Sequence, residues 1–446
     1  MLRCGATLGR LVRTTLIAPA LLAAPEQTGA GPAAVPRNLV LVSIDTLRAD
    51  RLGCYGHPRP TSPVIDALAR DGVIFDDASA PSPWTKPSHG ALLSGRYPSR
   101  NGLTTMAGEL DAQTPHLAEL LRDAGFQTVA IVNSKLLTQG GLARGFDHVE
   151  YLPYRQGDRR GSPVSSTAVE LLDRRDQRRR LFAFIHYMDV HSDYVSLPRY
   201  EEMFVRPYDG YADGSTQQLY RFSLGLFDLD RRDADHLLDL YDAGIRQIDD
   251  RIGRLVDYLK QQGLLDETLV VVLSDHGEEF LEHGSVLHGH SQFQEVVRVP
   301  LLLCGPTVPR GVRVSTPVSL VDVMPTVIDL LGLPLPDRLD GLPLRGAWDG
   351  SSALPPGREL FFEADVVWPP PGPGLSPLGP YRAVRSGRFK LHYDVDTKHA
   401  GLFDLERDPG ETVNVIADHP NEARRLWRRL ERFLAGPKPA DETGSR

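Results

Sequence analysis

Two carboxylates and a histidine come directly after two strongly apolar runs of the chain. Asp45 follows the run at 39–44, and Asp275 and His276 follow the run at 269–274. Such runs predict strands that are buried on both faces of a mainly parallel sheet. Because ligands bind at the carboxyl ends of these strands, we expect the three side chains to lie together, although each carboxylate alone could simply cap a strand. Hard oxygens with one imidazole suit a divalent cation such as Mn²⁺, Mg²⁺, Ca²⁺ or Zn²⁺.

A hydroxyl group is predicted at the start of a helix. Pro81, Pro83 and Pro87 exclude regular structure before position 87, but Pro87 suits the first turn of a helix that Gly95 ends. Thr85 therefore lies at a helix N-terminus, where free backbone N–H groups and the helix dipole stabilise an anion. Alone it would be an ordinary cap. Beside the two carboxylates and the histidine, Thr85 is predicted to be a fourth metal ligand and a nucleophile toward phosphorus or sulfur.

Two further histidines are candidates for the same chemistry. His191 follows a strand predicted over 181–188, and His290 follows a histidine–glycine turn. Both lie next to loops, so each is a candidate to bind ester oxygens or to protonate a leaving group. The alternative for each is an ordinary solvent-facing or core histidine.

Charge and the N-terminal pattern restrict the partners and the location. The 446-residue chain carries a net charge of −8, which gives no general attraction to nucleic acid or to an anionic membrane. Arginines followed by an apolar run at 16–24 predict a signal peptide over 1–30, and hence an exported protein, periplasmic or secreted. The run is too short to span a bilayer, and no other run is longer, so no stable membrane span is expected. The oligomeric state stays open.

The order of the elements predicts an α/β fold. We expect a large, central, mainly parallel sheet flanked by helices over 36–355, and a small C-terminal antiparallel sheet with one helix over 356–436. Residues 437–446 form a tail. The stretch 192–233 lacks periodicity and is expected to be a long loop that, with the proline-rich segment 366–380, sets specificity.

Six motifs occur in order between about residues 38 and 434. They are the segment from Asn38 through Asp45-Thr46-Leu47-Arg48 to Gly56, Ser82-Pro83-Trp84-Thr85-Lys86-Pro87-Ser88-His89 with Leu92-Leu93-Ser94-Gly95-Arg96-Tyr97-Pro98, Asp189-Val190-His191-Ser192-Asp193-Tyr194, Ser274-Asp275-His276-Gly277-Glu278, His290 to Glu295 with Arg298-Val299-Pro300, and Leu402 to Asn414. Together these motifs resemble the sulfatase family of the alkaline phosphatase superfamily. The resemblance implies an alkaline-phosphatase/sulfatase-like fold and an ester hydrolase with one divalent metal, held by Asp45, Thr85, Asp275 and His276.

The chain departs from the family pattern at the nucleophile. Sulfatases carry a cysteine or serine there that becomes formylglycine, whose second hydroxyl expels sulfate. Thr85 offers no second hydroxyl, so a sulfated intermediate would need attack by water. Threonine nucleophiles occur in the phosphodiesterases and phosphoglycol or phosphoethanolamine transferases of the superfamily. We therefore expect cleavage of phosphate diesters, phosphate monoesters or phosphonate esters.

Other departures affect the substrate clamps and the metal. His89 stands where the family has an arginine, and Asn133 lies roughly where its lysine and histidine sulfate clamps would be. The resemblance makes His89, Asn133, His191 and His290 candidate substrate-binding residues. Because Thr46 replaces a second aspartate and His276 replaces an asparagine of the calcium-dependent members, the pattern favours a transition metal, Mn²⁺ or Zn²⁺, over Ca²⁺.

Three alternatives remain at the level of the sequence. They are an aryl- or carbohydrate-sulfatase, a transferase that passes the Thr85-bound group to an alcohol, and a noncatalytic member that keeps the metal. The expected partner is a small-molecule, glycan or lipid oxyanion ester.

Overall fold

The structure is a computed structural model that describes residue 1 and residues 35–161, 163–365 and 380–436. Besides short 3₁₀ turns, the described residues form seventeen strands and twelve helices. The strands are β1 Asn38–Ile44, β2 Gly72–Phe75, β3 Ala78–Ser79, β4 Phe126–Val132, β5 His148–Tyr151, β6 Arg180–Tyr187, β7 Thr268–Leu273, β8 Glu279–Phe280, β9 Val286–Leu287, β10 Arg298–Val299, β11 Leu301–Cys304, β12 Val312–Val314, β13 Val318–Ser319, β14 Glu359–Ala364, β15 Tyr381–Ser386, β16 Phe389–Asp394 and β17 Ala400–Asp404.

The helices lie mostly between strands of the large sheet, as expected for an α/β fold. They are α1 Pro63–Arg70, α2 Thr85–Ser94, α3 Pro98–Asn101, α4 Leu117–Asp123, α5 Val164–Asp173, α6 Pro198–Phe204, α7 Thr216–Ser223, α8 Arg231–Gln261, α9 Gln294–Val297, α10 Val323–Leu330, α11 Gly346–Asp349 and α12 Pro420–Leu434.

The large sheet has eight strands in the order β12-β2-β11-β7-β1-β6-β4-β5. Five of its seven neighbouring pairs are parallel, and β11 is antiparallel to both its neighbours, so the sheet is mixed but mainly parallel. Every residue of β1 and β7 is buried. Successive residues of β1 face opposite sides of the sheet: Leu41 packs in one apolar core and Val42 in another. Because both faces are buried, the apolar run is unbroken. The predicted fold class is confirmed.

Proline divides one predicted strand into two. The apolar run 299–304 predicts one strand, but the structure has β10 and β11 on either side of Pro300. Strand β10 pairs with β3 in a separate three-stranded sheet, whereas β11 joins the large sheet. The missing N–H of Pro300 explains the break.

The predicted small C-terminal sheet is also present. Strands β14 to β17 form a four-stranded antiparallel sheet in sequence order. Helix α12 packs its apolar face, including Leu426 and Leu430, against Val384 and Leu391 of this sheet. The domain boundaries predicted at 36, 355 and 436 stay a prediction.

The stretch 192–233 is more regular than its sequence indicates. Instead of a continuous loop it contains α6, α7 and the start of α8. Helix α8 begins at Arg231, because Asp230 caps it by accepting the N–H groups of Arg232 and Asp233. Short helices with little hydrophobic periodicity escape the pattern that reveals longer ones.

Several predictions fall outside the described residues. These are the signal peptide, apart from Met1, the C-terminal tail 437–446 and nearly all of the segment 366–380. None of the helices in the described part of the chain has the length and apolar character needed to cross a bilayer.

Candidate active site

Adjacent strands of the large sheet bring Asp45, Asp275 and His276 together. Strands β1 and β7 are parallel neighbours with Ser43 paired to Leu273, so the residues that follow them emerge side by side. One ligand atom from each of the three side chains lies within 4.8 Å of the other two. All three residues are fully buried. The geometry matches the expectation from the strand ends.

Thr85 completes this group, which we call the Thr85 cluster: Asp45, Thr85, Asp275 and His276. Thr85 is the first residue of α2, two positions earlier than Pro87, and it is 5% exposed. Its Oγ1 donates to Asp45 Oδ2 at 3.3 Å and lies 3.4 Å from His276 Nε2. The hydroxyl therefore stands at a helix N-terminus among the candidate metal ligands, where negative charge is stabilised.

His276 presents a lone pair to the centre of the cluster. Its Nδ1 donates to the carbonyl of Gly277 at 3.0 Å, which leaves Nε2 unprotonated in the neutral ring. Nε2 lies 3.3 Å from Asp275 Oδ2 and 3.5 Å from Asp45 Oδ1. Burial holds the pKa of His276 well below its usual value, so the neutral, metal-binding form is favoured.

The two carboxylates titrate in opposite directions. Burial raises the pKa of Asp45, but contact with His186 and the charges of nearby histidines outweigh burial and hold that pKa below its ordinary value. Burial, followed by the negative charge of Asp45, raises the pKa of Asp275 well above its ordinary value. Two buried carboxyl groups this close resist being ionised together unless positive charge lies between them.

Unpartnered oxygens indicate what supplies that charge. Within the described residues, Asp45 Oδ1 and both carboxylate oxygens of Asp275 have no hydrogen-bond partner. Buried carboxylate oxygens are costly when unpaired, so they are expected to coordinate a cation. Two carboxylates, one imidazole lone pair and one hydroxyl form a donor set that fits a divalent metal, with the imidazole suiting Mn²⁺ or Zn²⁺.

The backbone around Asp45 is held in an unusual conformation. Thr46 has a φ of 59°, in the left-handed region that threonine rarely adopts. The hydroxyl of Tyr241, on α8, donates to the Thr46 carbonyl at 2.6 Å and accepts the Arg48 N–H at 2.9 Å. Ser274 Oγ lies 2.6 Å from the Ile44 carbonyl and accepts the N–H of Leu47. These contacts aim Asp45 at the cluster.

His89 holds the helix that carries Thr85. Its Nδ1 donates to the Thr85 carbonyl at 2.8 Å, and its Nε2 accepts the Ser43 hydroxyl at 2.9 Å. Both ring nitrogens are thus used within the protein, and burial lowers the pKa of His89 to about 3, which keeps the ring neutral. These contacts fit a positioning role, and the predicted contact of His89 with substrate stays a prediction.

Asn133 ties three strand ends together. Its Nδ2 donates to the Leu152 carbonyl at 2.7 Å, after β5, and its Oδ1 accepts the N–H of Met188, after β6. Asn133 itself follows β4 and is buried. Its predicted role in substrate binding stays a prediction, since the amide is already engaged by backbone groups.

Two other histidines face the Thr85 cluster. The ring of His288 lies 4.3 Å from the ring of His276, and the ring of His191 lies 5.1 Å from that of His288. Glu278 accepts Nδ1–H of His288 at 2.8 Å, and the Ser192 carbonyl accepts Nδ1–H of His191 at 2.8 Å. Each ring therefore keeps Nε2 available. His191 lies where the sequence predicts, whereas the proximity of His288 was missed.

His290 belongs to a different group, which we call the Glu279 cluster: Glu279, His283, His290 and Glu295. His290 Nε2 lies 3.1 Å from Glu279 Oε2, and His283 Nδ1 lies 2.5 Å from Glu295 Oε1. Glu279 also accepts the N–H of Ser285 at 3.0 Å. Within the described residues, no contact joins His290 to Thr85, so its catalytic and substrate-binding roles stay predictions that this placement does not favour.

The signal that separates His288 from His290 is weak in the sequence. Both flank Gly289 in one turn, and turns carry no periodicity that tells which side chain points inward. His186 was also missed: it lies within β6, reads as an ordinary strand residue, and places Nε2 3.3 Å from Asp45 Oδ2. Glu278 could have been found only through its pairing with His288.

Known protein families and proteins match most of the chain. A family model described as Sulfatase matches residues 37–333, and one described as N-sulphoglucosamine sulphohydrolase, C-terminal, matches residues 282–435. The N-acetylglucosamine-6-O-sulfatase of Bacteroides thetaiotaomicron is 22% identical over 484 residues, covering 88% of this chain and 85% of that protein.

Two solved structures share the fold. A protein in complex with its substrate D-glucosamine-2-N,6-O-disulfate superposes with a TM-score of 0.75 at 20% identity. The superposition covers 92% of this chain and 100% of that protein's chain. The phosphonate monoester hydrolase of Agrobacterium radiobacter superposes with a TM-score of 0.72 at 24% identity, covering 90% of this chain and 95% of that one.

Proposed function

Because the chain belongs to the sulfatase family of ester hydrolases, we propose that it is a metal-dependent hydrolase of phosphate diesters or phosphonate monoesters with Thr85 as the nucleophile. One observation carries the proposal: Thr85 Oγ1, at a helix N-terminus, lies 3.3 Å from Asp45 Oδ2 and 3.4 Å from His276 Nε2. Asp45, Asp275 and His276 would hold the cation. When bound, it supplies positive charge that lowers the pKa of a nearby hydroxyl and neutralises ester oxygens.

The chain's own residues account for both halves of the reaction. Thr85 Oγ1, which donates to Asp45 in the structure, loses its proton to water and attacks phosphorus. The bond from phosphorus to the leaving oxygen breaks, and that oxygen takes the Nε2 proton of the His288 imidazolium, whose Nδ1–H donates to Glu278. Water then attacks phosphorus, its proton goes to His288, the bond to Thr85 breaks, and Thr85 regains its proton.

His191 and the N-terminus of α2 bind the ester. His191 Nδ1–H donates to the Ser192 carbonyl, so in the protonated imidazolium form its Nε2–H can donate to an oxygen of the substrate. The first backbone N–H groups of α2 lie beside Thr85 and stabilise charge that develops on the oxygens of the transition state. His89 fixes the first turn of that helix.

Threonine is the reason to favour phosphorus over sulfur. A phosphorylated threonine can be cleaved by water at phosphorus, whereas a sulfated threonine has no second hydroxyl through which it could collapse. The phosphonate monoester hydrolase that shares the fold supports the choice of substrate class. Sulfate ester hydrolysis is the second candidate, supported by the match to the sulfatase family model and by the Bacteroides thetaiotaomicron relative.

We also propose that the protein is exported, on the basis of the sequence pattern at its N-terminus.

The experiment compares four matched nitrophenyl esters as substrates of the purified chain: bis-nitrophenyl phosphate, nitrophenyl phenylphosphonate, nitrophenyl phosphate and nitrophenyl sulfate. Each is assayed after chelation and again with added Mn²⁺, Zn²⁺ or Ca²⁺. We expect phosphorus diesters or phosphonates to be cleaved at least about 10²-fold faster than sulfate, and only with metal. A preference for sulfate would contradict the argument from Thr85.

A matched variant separates the nucleophile from the rest of the site. Thr85→Cys, produced together with a formylglycine-generating enzyme, restores the nucleophile typical of sulfatases. A gain of sulfate release would mean that Thr85 alone directs the site toward phosphorus. If sulfate release is not gained, we would attribute its absence to His89 and Asn133, which stand in place of the family's arginine and sulfate clamps.

A further inference from the structure

A cavity lined by arginines lies near His191, which faces the Thr85 cluster. Its volume is about 580 Å³, within the range of small-molecule sites. It is bounded by the segment that follows β5, by the start of α5 and by the middle of α8. Its charged lining residues are Arg155, Asp158, Arg160, Arg251 and Arg254.

The charge of this lining is strongly one-sided. Arg160 pairs with Asp158 at 3.1 Å, and Arg251 pairs with Asp189. Arg155 and Arg254 are exposed, and in the described ranges neither side chain has a hydrogen bond or an ion pair. A single exposed arginine is ordinary. Two unpaired arginines in one concave surface, with two more in its wall, concentrate a positive potential.

A row of aromatic rings joins the cavity to the catalytic group. From His276 the ring of His288 is 4.3 Å away, and the ring of His191 lies 5.1 Å further. The ring of Tyr154, which lines the cavity, lies 6.4 Å from that of His191, and the Tyr154 hydroxyl contacts the His191 carbonyl at 3.5 Å. His288, proposed to protonate the leaving group, and His191, proposed to bind the ester, thus stand between the Thr85 cluster and the arginines.

We infer that this cavity binds a second anionic group, carried by the leaving alcohol of the substrate. The inference rests on the proposed function and narrows its substrate class to oxyanion esters whose leaving alcohol also bears a carboxylate, phosphate or sulfate. Arg155 and Arg254 are the binding groups, since guanidinium pairs well with planar or tetrahedral oxyanions. Arg251 is already paired with Asp189 and contributes to the wall.

The test uses two isosteric substrates that differ by one charge: the 4-carboxybenzyl and 4-carbamoylbenzyl esters of phenylphosphonic acid. We expect the metal-loaded wild type to favour the carboxylate in kcat/KM by about 3- to 10-fold. In Arg155→Gln/Arg254→Gln the ratio falls to about one. The control Arg174→Gln removes an exposed arginine at the other end of α5 and keeps the wild-type ratio. A wild-type ratio of one, or a ratio unchanged in the double variant, overturns the inference.

A binding measurement separates this inference from the proposed function. Calorimetry with metal-loaded Thr85→Ala and the same two esters needs no turnover. Tighter binding of the carboxylate ester, lost when Arg155→Gln/Arg254→Gln is added to Thr85→Ala, supports the inference about the cavity. This holds even if the wild type cleaves neither ester, although the absence of cleavage would contradict the proposed function. Equal binding of both esters overturns the inference even if both are cleaved.

Discussion

The Thr85 cluster and the Glu279 cluster both combine two carboxylates with imidazole, and they differ in how these groups are paired. Each places two carboxylates and imidazole within a buried region. In the Glu279 cluster every histidine has its own carboxylate, at 2.5 Å and 3.1 Å. In the Thr85 cluster three carboxylate oxygens have no hydrogen-bond partner within the described residues, and His276 turns a lone pair toward them.

Under the proposed function, the pairing of the side chains, more than their composition, distinguishes the reactive site from a structural cluster. In the Glu279 cluster, ligand atoms of Glu279, His283 and Glu295 also lie within 4.8 Å of one another. The ion pairs within this cluster already offset the cost of removing its charges from water. In addition, His283 Nε2 contacts the carbonyl of Glu411, which follows the last strand of the small sheet. The Thr85 cluster lacks such compensation, which leaves its oxygens available to a cation and its hydroxyl available to an ester.

The largest expected effect is at the nucleophile. Thr85→Ala removes the attacking oxygen, so kcat/KM on the best phosphorus ester should fall at least about 10³-fold. Thr85→Ser keeps a hydroxyl at the same position and should retain more activity than the alanine variant. Unfolding temperatures check that both variants fold. Unchanged activity in Thr85→Ala would remove Thr85 from the mechanism.

Metal content is the next contrast between the two clusters. Asp275→Asn removes a charged ligand and should lose the bound metal and more than about 10²-fold in kcat. Glu295→Gln makes the same change in the Glu279 cluster and should keep one equivalent of metal. Elemental analysis after dialysis measures both. Metal lost from Glu295→Gln but kept by Asp275→Asn would reverse the assignment.

A smaller effect separates two histidines that flank the same glycine. His288→Gln should lower kcat by about 10²-fold, because His288 faces the Thr85 cluster and is oriented by Glu278. His290→Gln should leave kcat nearly unchanged and lower the unfolding temperature, because its ring pairs with Glu279. Steady-state kinetics and thermal unfolding of both variants decide the point. A larger loss of kcat at His290 would restore the prediction made from the sequence.

The smallest expected effect is a pH dependence of stability. Burial lowers the pKa of His283, but its contact with Glu295 outweighs burial and raises that pKa to about 9, from 6.5. Because the folded-state pKa is raised, the stabilisation is complete below about pH 6.5 and is lost as pH rises through about 9. The stabilisation is at most roughly 3 kcal/mol, because solvent screening weakens a pair that is not fully buried.

Chemical denaturation between pH 6 and pH 10 measures this loss. His283→Gln should remove most of the slope of unfolding free energy against pH. His399→Gln, which changes an exposed histidine, should keep the wild-type slope. Identical slopes for His283→Gln and the wild type would show that this pair does not stabilise the fold.

Much of the fold and the centre of the site could be predicted because strong local patterns converge there. The runs that form β1 and β7 deliver Asp45, Asp275 and His276 to one edge of the sheet, and prolines before a helix place Thr85 at its start. These elements depend on hydrophobicity and backbone geometry, which short sequence windows contain.

The remaining residues depend on contacts between distant segments. Which of His288 and His290 faces Thr85 is decided by the turn between them and by pairing with Glu278 or Glu279. His89 and Asn133 are identified from family positions, but their hydrogen bonds to Ser43, Leu152 and Met188 arise only when the strands assemble. No local pattern contains that information.

The stereochemical course at phosphorus tests the central claim most directly. A chiral phosphorothioate diester with a nitrophenyl leaving group is hydrolysed in ¹⁸O-labelled water, and the configuration of the product is determined. Transfer to Thr85 and then to water inverts phosphorus twice, so the account predicts overall retention. Overall inversion would mean that water attacks the ester directly, and it would contradict the role of Thr85 as nucleophile.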